Sequence, residues 1–518
     1  MVLGTSSHVG KSLLTAALCR IFAQEGYRVA PFKAQNMSLN SAATVEGLEI
    51  GRAQALQAEA AKIPASVHMN PILIKPTGDR ASQIVVRGKI WRHMDVADYF
   101  QSRADELLPI VRESYEWLRD RNDIVVLEGA GSPAEINLKS RDIANMRMAE
   151  LADAQCILIG DIDRGGVFAS LLGTIELLDP GERERIRGFL INKFRGDIAL
   201  LLPGIQQIQA RLEKPCLGVV PYLHDLMLEE EDSLGLPAAA AEDWKVYDPE
   251  RLRIAVIALP SLANFNDFDA LMAEPSVSLR YCHKPDQLDL ADVVLIPGSK
   301  ETVKDLTWMR EVGFEAAVLR HHARDGLTVG ICGGMQMLGQ EILDPDGIET
   351  AGSAPGFGLL PIETILQSEK ITVNAQGILC EAALFGRRVE INSFQGYEIH
   401  VGQTIYLSGA KPFAVLTRAV GDALHVPLED GCVAGDRRTF GTYLHGIFDD
   451  DAFRHAFLRA AFEFFQLNSP PHLIAFRGRK ERELERLAQT VRETVDLDTI
   501  FSWVGLTQGK RPERQPQF

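Results

Sequence analysis

Cysteine, basic charge and long apolar runs are all scarce in this sequence, and each shortage argues against a class of protein. The seven cysteines lie far apart without a C-x-x-C pair, which disfavours a zinc site or a disulfide framework and favours a reduced, cytoplasmic setting. Lys and Arg number 54 against 70 Asp and Glu, so the net charge of −16 disfavours nucleic acid and anionic membrane surfaces as partners. No apolar run approaches the roughly 18 residues of a membrane span, and the N-terminus does not resemble a signal peptide.

The chain is long enough for several domains, and its patterning predicts an α/β fold. With 518 residues, of which 46% are hydrophobic, it can bury more than one core. Short β-branched apolar runs alternate with longer amphipathic stretches, which is typical of parallel sheets covered by helices. An amphipathic helix is predicted over 12–25. The predicted strands cover 28–32, 124–128, 156–161, 188–192, 253–259, 292–298 and 327–332.

Composition shifts along the chain predict four segments. They are a first domain over 1–232, an acidic linker over 233–250, a second domain over 251–450 and a helical extension over 451–518. The linker contains Ala and Pro and has no strong periodicity. In the extension, Leu484, Leu487 and Val491 recur at helical spacing.

A phosphate-binding loop opens the chain. Residues 4–12 read GTSSHVGKS, a P-loop with one extra residue between its glycines, directly before the predicted helix. Backbone N–H groups and the helix N-terminus attract phosphate, a lysine adds charge, and a hydroxyl can ligate Mg²⁺. We therefore predict an ATP site made by Gly4, Thr5, Gly10, Lys11 and Ser12. Only three residues precede the loop, fewer than its feeding strand needs, so we expect the recorded start to lie several residues late.

Polar side chains follow several predicted strands of the first domain. Carboxyl ends of parallel strands face the ligand crevice of an open sheet, so Glu128 is a candidate Mg²⁺ ligand beside Ser12. The stretch 129–134 also matches G-x-G-x-x-A, so a dinucleotide fold competes with the P-loop interpretation. Solvated turns and plain surface loops remain alternatives for the other polar groups. The candidates for binding substrate or phosphate are Lys33, Gln35, Asn36, Asp161 and Asp163, with Asn40 in the same stretch as the first three.

A candidate nucleophile lies in the second half of the chain. Residues 330–336, GICGGMQ, follow a predicted strand and match G-x-C-x-G, which places Cys332 on a strand-to-helix elbow with its sulfur exposed. His445, in TYLHGIF, is the candidate base, and His400 is a secondary candidate. An inert buried thiol and a satisfied core histidine are the alternatives for this pair.

Three further residues complete an acyl-transfer site. Gly298 follows a predicted strand, and its backbone N–H and that of Gly333 are candidates for holding an oxyanion. Gln336 lies one turn into the helix after the nucleophile and could recognise an amide substrate. Together with Cys332 and His445, these groups predict a coherent acyl-transfer site.

Eight stretches together resemble one family closely, the cobyric acid synthases, which are glutamine-hydrolysing amide ligases of the cobalamin pathway. They run from residue 4 to about 450 and read GTSSHVGKS, PFKAQNMSLNS, LEGAGSPAEINL, GDIDRGGVFASLLGT, INKFRGD, GICGGMQMLG, GYEIHVG and GTYLHGIFD. The resemblance implies a dethiobiotin-synthetase-like P-loop domain followed by a flavodoxin-like class I glutamine amidotransferase domain. It implies that Cys332 is the nucleophile and His445 its base, that Lys11 and Ser12 belong to the ATP site, and that Glu128 binds metal.

The resemblance has one departure at the catalytic histidine. Class I amidotransferases carry His-x-Glu, whereas Gly446 and Ile447 follow His445 here. The cobyric acid synthase branch is similar in this respect, so we expect a Cys–His dyad without an orienting carboxylate. Glu398 could orient a base from elsewhere.

The resemblance also implies substrates and cofactors. Adenosylcobyrinic acid a,c-diamide would be amidated at its b, d, e and g carboxylates, with ATP and Mg²⁺ as cofactors and ammonia from glutamine. The expected partners are these small molecules, and a homo-oligomer remains open. A sister ligase acting on the a and c carboxylates, and a P-loop ATPase binding protein without ligase activity, are the alternatives. Because the corrinoid carries carboxylates, cations must line its site; the candidates are Lys11, Lys33, Arg164, Lys193 and Arg195.

Overall fold

The chain forms two compact units, and each unit is built from stretches that are not contiguous in the sequence. The computed structural model describes residues 1–77, 81–95, 104–224, 226–228, 244, 248–421, 423–424, 426–470 and 472–506. Unit 1 comprises Met1–Ser38, Ile50–Glu231 and Lys480–Phe518, and unit 2 comprises Leu39–Glu49 and Asp232–Arg479. This division differs from the predicted segments, because residues 39–49 of the predicted first domain join unit 2 and the helical extension divides at residue 480. Most of the predicted linker 233–250 lies outside the described residues.

The strands of the N-terminal half form several small sheets around one parallel sheet. They are β1 Val2–Gly4, β2 Val29–Phe32, β3 Gln35–Met37, β4 Ser41–Ala43, β5 Glu49–Gly51, β6 Ile72–Thr77, β7 Ala81–Val86, β8 Lys89–Asp95, β9 Ile124–Leu127, β10 Cys156–Asp161, β11 Ile186–Phe194 and β12 Cys216–Pro221. The parallel sheet has the order β1-β10-β11-β12, and β2 pairs with β9 in parallel. A bridge between Val2 and Glu128 joins β1 to the end of β9. A mixed sheet has the order β3-β6-β7-β8, and β4 pairs with β5.

Helices cover the parallel sheet of unit 1, and the C-terminal helices complete its core. The helices of unit 1 are Lys11–Gln24, Arg52–Ala60, Ala104–Arg119, Met146–Leu151, Val167–Glu176, Pro180–Arg185, Ile198–Leu212 and Leu497–Trp503, and the helix Phe476–Thr494 enters unit 1 at residue 480. Leu484, Leu487 and Val491 share one apolar cluster with residues of the helix Lys11–Gln24. Burying a leucine side chain stabilises the fold by about 2 kcal/mol. The extension is therefore part of the core that supports the P-loop helix.

Unit 2 combines a parallel sheet with a larger, mainly antiparallel one. Its strands are β13 Leu252–Ile257, β14 Val277–Cys282, β15 Val293–Ile296, β16 Leu327–Ile331, β17 Glu341–Asp344, β18 Gly352–Pro355, β19 Ile362–Leu379, β20 Ala383–Leu384, β21 Arg387–Arg388, β22 Phe394–Tyr406, β23 Ala414–Val420, β24 Ala423–Leu424, β25 Leu428–Asp430, β26 Cys432–Val433, β27 Thr439–Thr442 and β28 Leu444–His445. The first sheet has the order β14-β13-β15-β16-β27-β26 and is parallel except for β26. The second follows β18-β17-β19-β22-β28, with β23 also paired to β19.

Short helices connect these strands. Those of unit 2 are Asp269–Met272, Thr302–Val312, Phe314–Ala323, Gly333–Leu338 and Asp451–Phe464. The α/β prediction is confirmed, and the predicted strands correspond to β2, β9, β10, β11, β13, β15 and β16. Within the described part of the chain, no helix is both long enough and apolar enough to cross a bilayer.

Candidate functional site

Cys332 lies at a sharp elbow between β16 and the helix Gly333–Leu338. Its φ of 52° and ψ of −110° form a conformation that non-glycine residues rarely adopt, and strain of this kind is typical of active sites. Its backbone N–H donates to the Thr442 carbonyl at 2.8 Å, which ties the elbow to β27. Gly334 has no room for a side chain, because a Cβ there would lie 2.0 Å from the Ile296 carbonyl oxygen. The expected exposure of the sulfur is wrong, because only 7% of Cys332 is exposed.

His445, at the end of β28, bonds to a carboxylate and lies near the thiol. Its Nδ1 lies 2.7 Å from Asp267 Oδ2, and the next backbone N–H, that of Gly446, donates to Asp267 Oδ1 at 2.9 Å. The Cys332 thiol itself donates to the Ile399 carbonyl oxygen at 3.7 Å. Burial would lower the pKa of His445, but the Asp267 carboxylate and the nearby Cys332 side chain raise it to about 10. Thiol, imidazole and carboxylate are thus grouped as the members of a catalytic triad are.

The expectation of a dyad without an orienting carboxylate is therefore wrong. Asp267 belongs to the single helical turn Phe265–Phe268, which follows Asn264 in the left-handed conformation at φ 54°. Asp267 is 178 positions from His445, so the residues that flank the histidine do not reveal it. The available signal was its place after β13, at the carboxyl end of a parallel strand where active-site residues gather.

Glu398 orients His400 instead of His445. His400 Nε2 lies 3.1 Å from Glu398 Oε1, and its Nδ1 lies 2.8 Å from the Gly402 carbonyl oxygen. Both ring nitrogens of the secondary candidate base are therefore engaged away from the thiol. Although burial opposes it, hydrogen bonds from Arg418 and His400 lower the pKa of Glu398 to about 2. His400 also stacks on Tyr443, with ring centroids 3.8 Å apart.

The remaining predicted residues of unit 2 lie close to this group of side chains. A Cβ on Gly298 would lie 2.8 Å from His445 Cε1, and one on Gly333 would lie 3.0 Å from the Ser299 nitrogen. The Gly298 backbone therefore approaches His445, and the Gly333 backbone approaches Ser299, about as closely as glycine allows. Gln336 is buried, and its side-chain amide donates to the Tyr443 hydroxyl at 3.3 Å. Their roles in holding an oxyanion or an amide substrate stay predictions.

In unit 1 the P-loop is held by the end of β11. Gly10 has a φ of 98°, and a Cβ there would lie 2.2 Å from Asn192 Nδ2, so only glycine fits. The Asn192 amide donates to the Val9 carbonyl at 2.8 Å, and Lys193 Nζ donates to the His8 carbonyl at 2.7 Å. At the other end of the loop, the Thr5 N–H donates to the Ile159 carbonyl of β10.

The lysine of the P-loop points back over the loop. Lys11 Nζ donates to the carbonyl oxygens of Ser6 at 2.8 Å and Gly131 at 3.0 Å. Gly4 packs under this side chain, because a Cβ on it would lie 3.0 Å from Lys11 Cδ. The predicted ATP residues thus form one loop, but their binding of ATP stays a prediction.

Glu128 lies beside the P-loop and accepts three hydrogen bonds. Its Oε1 accepts from Ser12 Oγ at 2.7 Å and from Lys33 Nζ at 3.0 Å, and its Oε2 accepts from Gln57 at 2.6 Å. The hydroxyl and the carboxylate are hard oxygen donors of the kind that Mg²⁺ prefers, with phosphate and water supplying its other ligands. The described residues contain no cluster of three or more His, Cys, Asp or Glu, so a cation there would depend on such outside ligands.

Lys33 occupies a different environment from the expected open cleft. Only 3% of it is exposed, and its ammonium group is buried against Glu128. Asn36 is buried as well and donates to Gln54 Oε1 at 3.0 Å. Neither residue reaches solvent freely, because each is held by a buried polar partner. Gln35, by contrast, lines a cavity.

Asp161 and Asp163 form ion pairs at the ends of neighbouring strands. Asp161 Oδ2 lies 3.0 Å from Lys193 Nζ, and Asp163 Oδ1 lies 3.0 Å from Arg195 Nε. Arg164 lies farther from Asp161, at 4.0 Å. Four candidate groups for substrate or phosphate binding are thus gathered at the carboxyl ends of β10 and β11.

A cavity of about 800 Å³ adjoins the P-loop within unit 1. Ser7 of the loop and Gly131, whose carbonyl accepts from Lys11, both line it. Gln35 and Met37 form another part of the wall, and basic side chains such as Arg141 lie along it. The cavity is large enough for a substrate much bigger than a nucleoside phosphate group.

Comparison with known proteins agrees with this architecture. Residues 1–235 match the family model described as the CobQ/CobB/MinD/ParA nucleotide binding domain, and residues 253–453 match the CobB/CobQ-like glutamine amidotransferase domain. A protein of Roseiflexus castenholzii named cobyric acid synthase is 50% identical over 460 residues, which cover 89% of this chain and 91% of that one. Relatives of the same name from Yersinia enterocolitica and Thermoanaerobacter sp. are 46% and 45% identical, covering 99% and 97% of both chains. This chain therefore belongs to the cobyric acid synthase family of glutamine-hydrolysing ligases.

Proposed function

We propose that this protein uses ATP and glutamine to amidate the b, d, e and g carboxylates of adenosylcobyrinic acid a,c-diamide, giving adenosylcobyric acid. The observation that carries the proposal is the grouping of Cys332 with the hydrogen-bonded pair of His445 and Asp267 in unit 2, in a protein whose unit 1 holds a P-loop beside a large cavity. Similarity to proteins named cobyric acid synthase supports the choice of this corrinoid.

Unit 2 releases ammonia from glutamine. Cys332 gives its thiol proton to His445, and its Sγ attacks the side-chain amide carbon, forming a tetrahedral oxyanion that the backbone N–H groups of Gly298 and Gly333 stabilise. His445, held by Asp267, gives its proton to the departing nitrogen, so ammonia leaves and a glutamyl thioester remains. Water, deprotonated by the same imidazole, then hydrolyses the thioester to glutamate and restores the thiol.

Unit 1 activates the corrinoid carboxylates. A carboxylate is a poor electrophile, so its oxygen first attacks the γ-phosphorus of ATP, displacing ADP and forming an acyl phosphate. Lys11 and the P-loop N–H groups orient the phosphates and offset their charge. Ser12 and Glu128 would hold Mg²⁺, which when bound neutralises charge on the transferring phosphate. Ammonia then attacks the acyl carbon and phosphate leaves.

The cavity beside the P-loop is the proposed corrinoid site. Its volume of about 800 Å³ suits a large part of a corrin ring. Arg141 lines it and can pair with the carboxylates that await amidation. Lys139 also lines it but already pairs with Asp179 and Glu182, each at 2.6 Å.

Glutamine hydrolysis and corrinoid amidation can be tested separately by changing the nitrogen donor. With glutamine, Cys332→Ala should form no amide, whereas with ammonium salt as the nitrogen donor it should amidate the corrinoid at the rate of the unmodified protein. Loss of both activities in a folded Cys332→Ala variant would contradict two independent reaction centres.

A further inference from the structure

A segment from the nucleotide-binding half of the sequence is built into unit 2. Leu39–Glu49, called here the insert, lies inside the region that matches the nucleotide-binding family model. It contains β4 and a turn closed by the Thr44 N–H and the Leu48 carbonyl at 2.8 Å. Although chain order assigns it to the P-loop domain, its packing assigns it to the amidotransferase unit.

Two asparagines join the insert to the turn that carries Asp267. The Asn40 side-chain oxygen accepts from the Phe265 N–H at 3.3 Å, and the Asn264 side-chain oxygen accepts from the Ser41 N–H at 2.9 Å. All four hydrogen-bonding groups are buried. The Asp267 N–H in turn donates to the Asn264 carbonyl at 3.0 Å. The insert thus fixes the first residues of the turn whose carboxylate orients His445.

The other end of the insert is anchored independently to β19. Lys370 Nζ lies 2.5 Å from Glu49 Oε2, and the other oxygen of this buried carboxylate accepts from Ser41 Oγ at 2.8 Å. The Asn374 amide donates to the Thr44 carbonyl at 3.1 Å. The buried Glu49 carboxylate and its two partners, Lys370 and Ser41, give the insert a rigid position from which Asn40 can act on the turn, and the Asn374 bond is an additional contact.

We propose that Asn40 is a positioning residue for glutamine hydrolysis: its hydrogen bond to the Phe265 amide holds the turn Phe265–Phe268 so that Asp267 meets His445. The proposal rests on the proposed glutaminase role of Cys332 and His445. Without Asn40, the Phe265 N–H becomes a buried donor without this partner, and the turn rearranges to satisfy it. Because Asp267 binds both His445 Nδ1 and the Gly446 N–H, a small shift of the turn misaligns the base.

A double-mutant cycle tests this role through glutamate release, which is readable even if no corrinoid is amidated. Asn40→Ala should lower kcat for glutamine hydrolysis roughly tenfold with little change in KM, since the lost hydrogen bond acts on the base. In an Asp267→Asn background the same substitution should have almost no further effect, because the group it positions is already absent. Asn40→Asp, which keeps the acceptor oxygen, should restore most of kcat.

Asn374→Ala is the matched control, because it removes another hydrogen bond to the insert but none to the Asp267 turn. It should keep kcat within about twofold. The proposal is overturned if Asn374→Ala lowers kcat as much as Asn40→Ala, or if the Asn40 effect is undiminished in the Asp267→Asn background. If Asn40→Ala does not fold, Asn40→Ser takes its place, since its shorter side chain retreats from the Phe265 amide. If the unmodified protein releases no glutamate, the proposed function fails before the role of Asn40 is reached.

Discussion

His445 Nδ1 lies 2.7 Å from Asp267 Oδ2, which joins the end of β28 to a turn 178 residues earlier in the chain. The same carboxylate accepts the Gly446 N–H at 2.9 Å, so both of its oxygens bind the histidine segment. This bidentate contact fixes the ring and its tautomer, leaving Nε2 without a bond to this carboxylate. Asp267 is therefore placed where it can orient the proposed catalytic base.

Removing the charge of this carboxylate should disable glutamine hydrolysis alone. Asp267→Asn keeps the size of the side chain but loses the anion that stabilises the imidazolium, and we expect kcat to fall by about 10²- to 10⁴-fold. Amidation with ammonium salt should persist. Glutamate release and corrinoid amidation, measured separately, check this. Asp269→Asn, whose native carboxylate accepts from Asn266 at 3.2 Å, is the control directly after the turn; an equal loss there would contradict the role of Asp267.

The pH dependence of glutamine hydrolysis follows from the raised pKa of His445. Burial opposes the charged ring, but Asp267 and Cys332 raise the pKa to about 10, so the imidazolium that protonates departing ammonia persists in mildly alkaline solution. We expect kcat/KM for glutamine to fall only as pH approaches about 10. In Asp267→Asn the descending limb should move to lower pH. The same limb in both proteins would show that another group controls it.

Breaking the buried ion pair of Lys33 and Glu128 should lower the free energy of unfolding. Their side chains are 4% and 0% exposed, and Nζ lies 3.0 Å from Oε1. Glu128→Gln leaves the ammonium buried without its counter-ion, so the free energy of unfolding should fall by about 3–5 kcal/mol. The double variant Lys33→Met/Glu128→Gln removes both charges and should lose less. Urea unfolding compares them, and a double variant at least as unstable as the single one would count against the pairing.

Substituting Arg141 should weaken binding of the corrinoid and leave glutamine hydrolysis unchanged. It lines the cavity beside the P-loop, where a guanidinium can pair with a substrate carboxylate. We expect Arg141→Ala to raise KM for the corrinoid roughly tenfold, because a hydrogen bond to a charged group is lost. Steady-state amidation with varied corrinoid measures this. Arg119→Ala, which removes an exposed arginine paired with Asp120 at 2.9 Å, is the control, and equal effects would argue against this cavity as the site.

Local patterns in the sequence predict much of the fold and part of the site. The β-branched runs at 124–128 and 327–332 correspond to β9 and β16, because buried parallel strands need continuous apolar residues. The P-loop and the elbow at Cys332 are equally local, since glycines at fixed offsets permit backbone approach that no other residue allows. Such features are readable because their physical causes lie within a few residues.

The features that sequence reasoning missed depend on tertiary contacts. Asp267 has no neighbouring motif, and only the return of the chain at β28 brings His445 to it. The exchange of Leu39–Glu49 into unit 2 is equally hidden, because its anchors Lys370 and Asn374 come more than 300 residues later. Lys33 looks like a cleft residue in sequence, and only its burial against Glu128 identifies it as part of an internal ion pair.

Mass spectrometry of the corrinoid product tests the central claim most directly. Adenosylcobyrinic acid a,c-diamide is incubated with the protein, ATP, Mg²⁺ and glutamine labelled with ¹⁵N in its side-chain amide. The account predicts replacement of four hydroxyl groups by four labelled amides, and no labelled product with Cys332→Ala. An unchanged corrinoid mass with the unmodified protein, or amides that carry no label, would contradict it.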